Sequence, residues 1–229
     1  DLDLVKNEIS HVFNYLPIRD YGLNFILQAD FILIANREDI DSNNEWTKYI
    51  VDNIPTIFIN EMLPKIKDDP VLQNIFYAYL ASEKTLGPFT AMMDEIESKL
   101  TNEECILSES GNWRKPADLL RRTHLLKEFI SNDDFHRLIG KEFVSNKISP
   151  IHYSYLEVSL DVKKQSLDHL ITILKNEEWV KSHIDDNKWF QLLYIQIKGY
   201  LNTSSEEKKE FCKKLNKLKI IKTTDGELL

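Results

Sequence analysis

Between Leu23 and Ala35 an apolar side chain falls on every second residue: Leu23, Phe25, Leu27, Ala29, Phe31, Leu33 and Ala35, with Asn24, Gln28 and Asp30 between them. Alternation with period two predicts a strand that lays one face on a core. Ile26, Ile32 and Ile34 make the other face partly apolar, which predicts a central strand covered in places on both sides. An apolar run over residues 9–16 reads as a second strand, and a Pro-containing loop, Pro17 to Gly22, joins the two. The charged loop Asn36-Arg37-Glu38-Asp39 follows. The period then becomes helical through Trp46, Ile50, Ile54, Ile57, Phe58 and Met62. Pro55 predicts a kink or a fresh start near Asn53–Pro55, and Pro64 a second kink or the end of the helix.

Farther on, helices dominate. Asp68-Asp69-Pro70 places acids and a proline where a helix begins, ahead of Val71, Leu72, Ile75, Phe76, Tyr79 and Leu80. Gly87-Pro88 breaks the chain before a helix carrying Phe89, Met92, Met93, Ile96 and Leu100. Residues 105–115 read as a β-hairpin with a Ser-Gly-Asn turn, and residues 218–229 as a second hairpin of the same kind. Pro116 opens a helical turn. Further helices start at Asp133-Asp134, near Leu167 and at Asp185-Asp186, residues 148–162 read as loop, and Ser204-Ser205-Glu206-Glu207 caps a last helix. The fold class is α+β. A small strand–helix unit over residues 1–67 is expected to pack on a mainly helical region over 68–229, because no Gly/Ser linker separates them.

Composition narrows the function classes. A net charge of −8 opposes bulk binding to nucleic acid, while leaving room for a local basic patch. Cys105 and Cys212 stand far apart and form neither a disulfide framework nor a zinc pattern, which suits reduced thiols in an intracellular setting, cytoplasmic or nuclear. No apolar run is long enough for a transmembrane helix. The six histidines are scattered, without metal-ligand spacing, and there is no G-x-S-x-G elbow, Walker loop or dinucleotide fingerprint. Acid pairs stand at helix starts, where the dipole favours them. Two features remain. Arg19 and Arg37 lie in the loops flanking the 23–35 segment, each beside an acid, and as surface ion pairs they would contribute under about 1 kcal/mol. Lys208, Lys209, Lys213, Lys214 and Lys217, with Lys219 and Lys222 just beyond, make the last helix the one strongly basic stretch, as a solvated face or a patch for nucleic acid or acidic partners.

The stretch LPIRDYGLNFILQADFILIANREDI, followed by Trp46 and a helix with Ile54-Pro55, resembles the segment after the ATPase domain in sacsin-like and NO VEIN-like proteins, which carry an Hsp90-type ATP-binding domain. LSESGNWRKPADLLRR with LLKEFISNDDF is similar to the long helical region of NO VEIN-like proteins. The resemblance implies that residues 1–67 form a transducer-like unit that communicates with an upstream ATPase domain, and that 68–229 is a scaffold contacting protein partners. ATP and Mg are expected in that upstream domain. No ATP-binding motif of the family occurs here, so no cofactor and no catalysis are expected of this chain itself. Asp1-Leu2-Asp3 has neither Met nor signal pattern, and the end resembles a strand just begun, as in a piece of a longer protein. By position in the family, Arg37 first and Arg19 second are expected to sense the nucleotide γ-phosphate. The competing reading is a nucleic-acid-associated module of a defence or nuclear protein that uses the lysine-rich last helix. A stand-alone enzyme has no residue pattern in its favour.

Overall fold

The structure is a computed structural model that describes residues 12–80, 85–122, 129–201, 205–223 and 227–228. The fold is α+β. The chain divides into two compact units, Asp1–Ile106 with Asn146–Asp161, and Leu107–Ser145 with Val162–Leu229. This division differs from one at Lys67–Pro70. The helices on either side of Gly87 belong with the N-terminal strands. Residues 146–161 also return to that unit. Among the described residues no helix is long and apolar enough to cross a membrane.

In the first unit β1 (Val12–Asn14) pairs antiparallel with β2 (Leu16–Pro17) and parallel with β3 (Leu27–Gln28). The long strand expected over 23–35 is reduced to β3 and a single bridge, Leu33 to Ile40. Its alternation survives in burial: Leu23 and Phe31 are buried, while Ile26, Ile32 and Ile34 face outward. Extended backbone lying on a core produces the same period as a laddered strand, and among the described residues no second layer covers the isoleucines.

α1 (Glu45–Ile57), one wide turn over Phe58–Met62 and α2 (Leu63–Asp68) form a continuous helical run. Asn44 caps it, accepting from the Trp46 and Thr47 N–H groups. Helix continues through Pro55, with no fresh start there. The widening comes one turn before Pro64, with the Leu63 N–H bonded to the Phe58 carbonyl. Pro64 has no N–H for the Asn60 carbonyl and its ring crowds that oxygen, so an extra residue in the turn relieves the clash. The buried stripe of α1 is Thr47, Val51 and Pro55, one position on from the expected one, and Trp46, Ile57 and Met62 are exposed. α1 packs on α4 (Pro88–Leu100), whose Phe89, Met92, Met93, Ile96 and Leu100 are buried as their spacing predicts. α3 (Pro70–Leu80) starts where Asp69 Oδ1 accepts from the Val71 and Leu72 N–H groups. Residues 148–162, expected as loop, hold a 3₁₀ turn, Pro150–His152, and α6 (Tyr153–Val158).

In the second unit the hairpin expected over 105–115 is present as β4 (Ile106–Leu107) and β5 (Trp113–Arg114). Pro116–Asp118 forms the helical turn and leads into β6 (Leu119–Arg121), which pairs in parallel with β7 (Glu142–Phe143) and β8 (Lys163–Lys164). α5 (Asn132–Ile139) bridges β6 and β7 and ends on Gly140, whose φ of +77° gives the left-handed cap that closes a helix at least cost. α5 and α10 (Ser205–Leu215) both pack on α7 (Leu167–Leu174). α8 (Glu177–Lys181) and α9 (Asn187–Leu201) add Trp179, Trp189, Phe190 and Leu193 to a core that also holds Phe135, Phe143 and Phe211. The second hairpin shows as the Lys222–Leu228 bridge, and its turn lies outside the described residues.

Candidate functional site

The loop after the 23–35 segment is a tight reversal. Ile34 N–H donates to the Asp39 carbonyl at 3.0 Å and Asp41 N–H to the Ile32 carbonyl at 2.8 Å. Asn36 Oδ1 accepts from the Glu38 N–H at 3.1 Å, a local bond that favours the turn. Arg37 stands at the tip with φ of +60°. The left-handed region costs a non-glycine residue about 1–2 kcal/mol. Its side chain is exposed and makes no hydrogen bond or ion pair among the described residues.

Arg19 is placed differently. Its Nη1 donates to Asp39 Oδ2 at 2.7 Å and its guanidinium lies 5.0 Å from the centre of the Tyr21 ring. The other oxygen of Asp39 accepts from the Tyr21 hydroxyl and, at 2.8 Å, from the Ile40 N–H. The neighbouring acid, Asp20, instead accepts from the Gly22 N–H. Tyr21 is buried, and its ring meets Phe89 edge-on at 4.9 Å. Arg19, Tyr21 and Asp39 thus pin the base of the loop that carries Arg37, and the sequence offers no local sign of a link across 18–20 residues.

The charges fit this anchoring. Burial, then the hydrogen bond to the Asp39 carboxylate, pushes the Tyr21 hydroxyl up to about 12. Burial would raise Asp39, but bonds from Tyr21, Ile40 and Arg19 outweigh it and hold the carboxyl below its ordinary value. Stability from Asp39 is therefore complete above that ordinary value and fades as pH falls through the lowered one. Stability from Tyr21 is complete below the ordinary tyrosine range and fades in strong alkali. Asp39→Ala should cost about 1–2 kcal/mol, since it strips three donors, Arg19, Tyr21 and the Ile40 N–H, of an acceptor. Arg19→Ala should cost under about 1 kcal/mol, since the pair is open to water. Urea titrations of both variants check the order, and equal losses would mean that the ion pair, not the tyrosine, carries the anchor.

In the second unit Lys208, Lys209, Lys213 and Lys217 are exposed. Lys214 is engaged: its Nζ bonds Asp168 Oδ1 at 2.7 Å and Glu210 Oε1 at 3.1 Å. Around Lys214 lies a depression of about 320 Å³ that also draws in Lys175, Lys217 and Lys219. Lys219 is expected just beyond the basic helix; Lys175, which closes a different helix, is missed by sequence reasoning.

Other groups are structural. Glu97 is raised by burial, with Ser159 and Tyr155 pulling it back. The Cys105 thiol is pushed up to about 12 by burial, so it is no thiolate nucleophile near neutral pH. Among the described residues no three His, Cys, Asp or Glu side chains are grouped to hold a metal ion.

The chain is similar to Protein NO VEIN of Arabidopsis thaliana, 31% identical over 119 residues. The match takes in 48% of this chain and 4% of that protein, so the chain spans a small part of its relative. The NO VEIN-like resemblance therefore holds over about half of the sequence. No protein-family model and no solved structure matches.

Proposed function

We propose that this chain is a non-catalytic segment of a larger NO VEIN-like protein, in which the Arg37 loop reads the nucleotide state of an Hsp90-type ATPase domain and the helical part contacts protein partners. The setting is chaperone-like or regulatory, inside the cell, with ATP and Mg held by the ATPase domain rather than by this chain. The observation that carries the reading is an exposed, unengaged arginine at the tip of a loop whose base is pinned by Asp39 and Tyr21. A guanidinium on a fixed loop can stabilise charge developing on a transferred phosphoryl group, at little cost in reorganisation. The left-handed backbone of Arg37 supports this, since strain concentrates where geometry serves a site. Arg19, tied to Asp39, serves as positioning residue and not as second sensor.

In the full-length protein, Arg37→Ala should lower ATP turnover by about tenfold or more while nucleotide affinity stays within about twofold. Arg37→Lys, keeping the charge without the planar fork, should recover only part of it. Steady-state turnover with equilibrium nucleotide binding reads both, and wild-type turnover in Arg37→Ala removes the proposal.

A further inference from the structure

The second unit carries a cationic surface that the reading above does not use and on which that reading does not depend. From Ser205 to Lys222, over α10 and the segment after it, seven lysines stand against three acids, Glu206, Glu207 and Glu210, in a chain of net charge −8. Such segregation gives the surface a local positive potential opposite to that of the whole protein. Lys214 is neutralised by Asp168 and Glu210. Lys222 donates to the neutral Asn187 amide at 2.8 Å and keeps its charge. Lys208, Lys209, Lys213, Lys217 and Lys219 are exposed. The end of α10 accounts for part of this, since Lys213 and Lys214 in its last turn face the helix dipole. That dipole is equivalent to about half a negative charge, too little to balance the patch.

Lys209 and Lys213, four residues apart on α10, stand about 6 Å apart along its axis, and the chain then carries Lys217, Lys219 and Lys222 onward. Lys175 joins them across the depression, where Glu177 is the one acid in the lining. Glu177 lies 3.7 Å from Lys181, which offsets it. Beside the Ile220–Lys222 segment stands Tyr194, two-fifths exposed, its hydroxyl donating to the Ile220 carbonyl at 3.4 Å and accepting from the Lys222 N–H at 3.2 Å. A ring fixed by its hydroxyl beside a row of cations is a platform for a base whose phosphates follow the lysines.

We propose that α10 and the segment to Lys222, with Lys175 and Tyr194, bind a single strand of nucleic acid through its phosphates and one stacked base. The test uses the intact chain and a labelled poly-uridine strand of about 16 nucleotides, read by fluorescence anisotropy. Binding should weaken steeply between about 50 and about 200 mM salt. Reversing Lys213, Lys217 and Lys219 together to Glu should weaken it at least tenfold, and the same three changed to Gln should weaken it by less. Circular dichroism checks that both variants stay folded. These positions are exposed, and Lys214 with its acid partners is left intact. No binding at the lower salt, or affinity unchanged in both triple variants, overturns the proposal. So does a polyglutamate competitor as effective as unlabelled strand, which would make this an acidic-protein surface. A duplex bound as tightly as the strand would overturn the stacking role of Tyr194 and with it the single-strand assignment.

Discussion

Phe89→Ala is expected to destabilise the chain by about 3–5 kcal/mol, the range for deleting a fully buried phenylalanine whose cavity cannot collapse. Phe89 opens α4, fully buried, and meets two rings edge-on: Tyr21 at 4.9 Å and Phe31 at 5.9 Å. Each edge-to-face pair adds about 0.5–1.5 kcal/mol beyond burial. Tyr21 holds Asp39 at the base of the Arg37 loop, and Phe31 anchors the extended segment leading into it. The start of α4 is fixed by Gly87, with φ of +60°, and by the bond from the Leu86 N–H to the Tyr21 carbonyl at 2.9 Å. Removing the ring should therefore loosen the loop as well as the core. Urea denaturation should show the loss, and amide exchange over 33–41 should speed up more than exchange in the second unit. Tyr21→Phe, which keeps both ring contacts and loses the hydroxyl, should cost about 1–2 kcal/mol. A Phe89→Ala variant within about 1 kcal/mol of wild type would show that the ring does not carry the loop.

What could be read from the residues follows the range of the forces involved. The start of α3 was legible because its cap bond spans two residues, Asp69 to Val71; the caps Asn44 and Ser131 were not picked out from the residues. The inward positions of the 23–35 segment were legible as well, because burial alone sets the alternation. Its hydrogen bonding was not, since a ladder needs neighbours that the alternation does not specify. The short parallel sheet of β6, β7 and β8 escaped notice for the same reason: strands of two or three residues are too brief to show a period. On α1 the large apolar residues suggested one stripe, and packing against α4 selected Thr47, Val51 and Pro55 instead. Thr47 is buried because its hydroxyl accepts the Ile32 N–H, a tertiary bond that makes a polar residue the better choice there. The exposure of Arg37 could be anticipated from its charged loop. The tie between Arg19 and Asp39 could not, because each has a nearer oppositely charged neighbour in sequence.

Glu142 illustrates the long-range case and gives the other large expected effect. It lies on β7 with its side chain 7% exposed, and it accepts from Arg114 Nε at 2.7 Å and from the Ser110 hydroxyl. Ser108 Oγ stands 2.8 Å from Ser110 Oγ and accepts from the Asn112 N–H, so the tip of the β4–β5 hairpin is fastened to the sheet. The serines, ordinary turn residues by sequence, are half of a buried polar clip. Burial alone would push the Glu142 carboxyl up, but bonds from Ser108, Ser110 and Arg114 and the arginine charge outweigh it and hold the group below its ordinary value. A depressed acid stabilises the fold fully above its ordinary value, and that contribution is lost as pH falls through the lowered one. Glu142→Ala leaves Ser110 without its acceptor and Arg114 without its counter-ion. Breaking a buried pair costs about 3–5 kcal/mol. Arg114 is a third exposed and can recover water, so the lower end, about 3 kcal/mol, is expected. Glu142→Gln keeps the shape and one acceptor, and should cost about 2 kcal/mol at neutral pH. The gap between wild type and Glu142→Gln should narrow in acid, below the ordinary glutamate value, because the wild-type group is then itself neutral. Thermal melts of the pair across that range decide the point. A gap of constant size from neutral pH into acid would show that shape, and not charge, is what the clip requires.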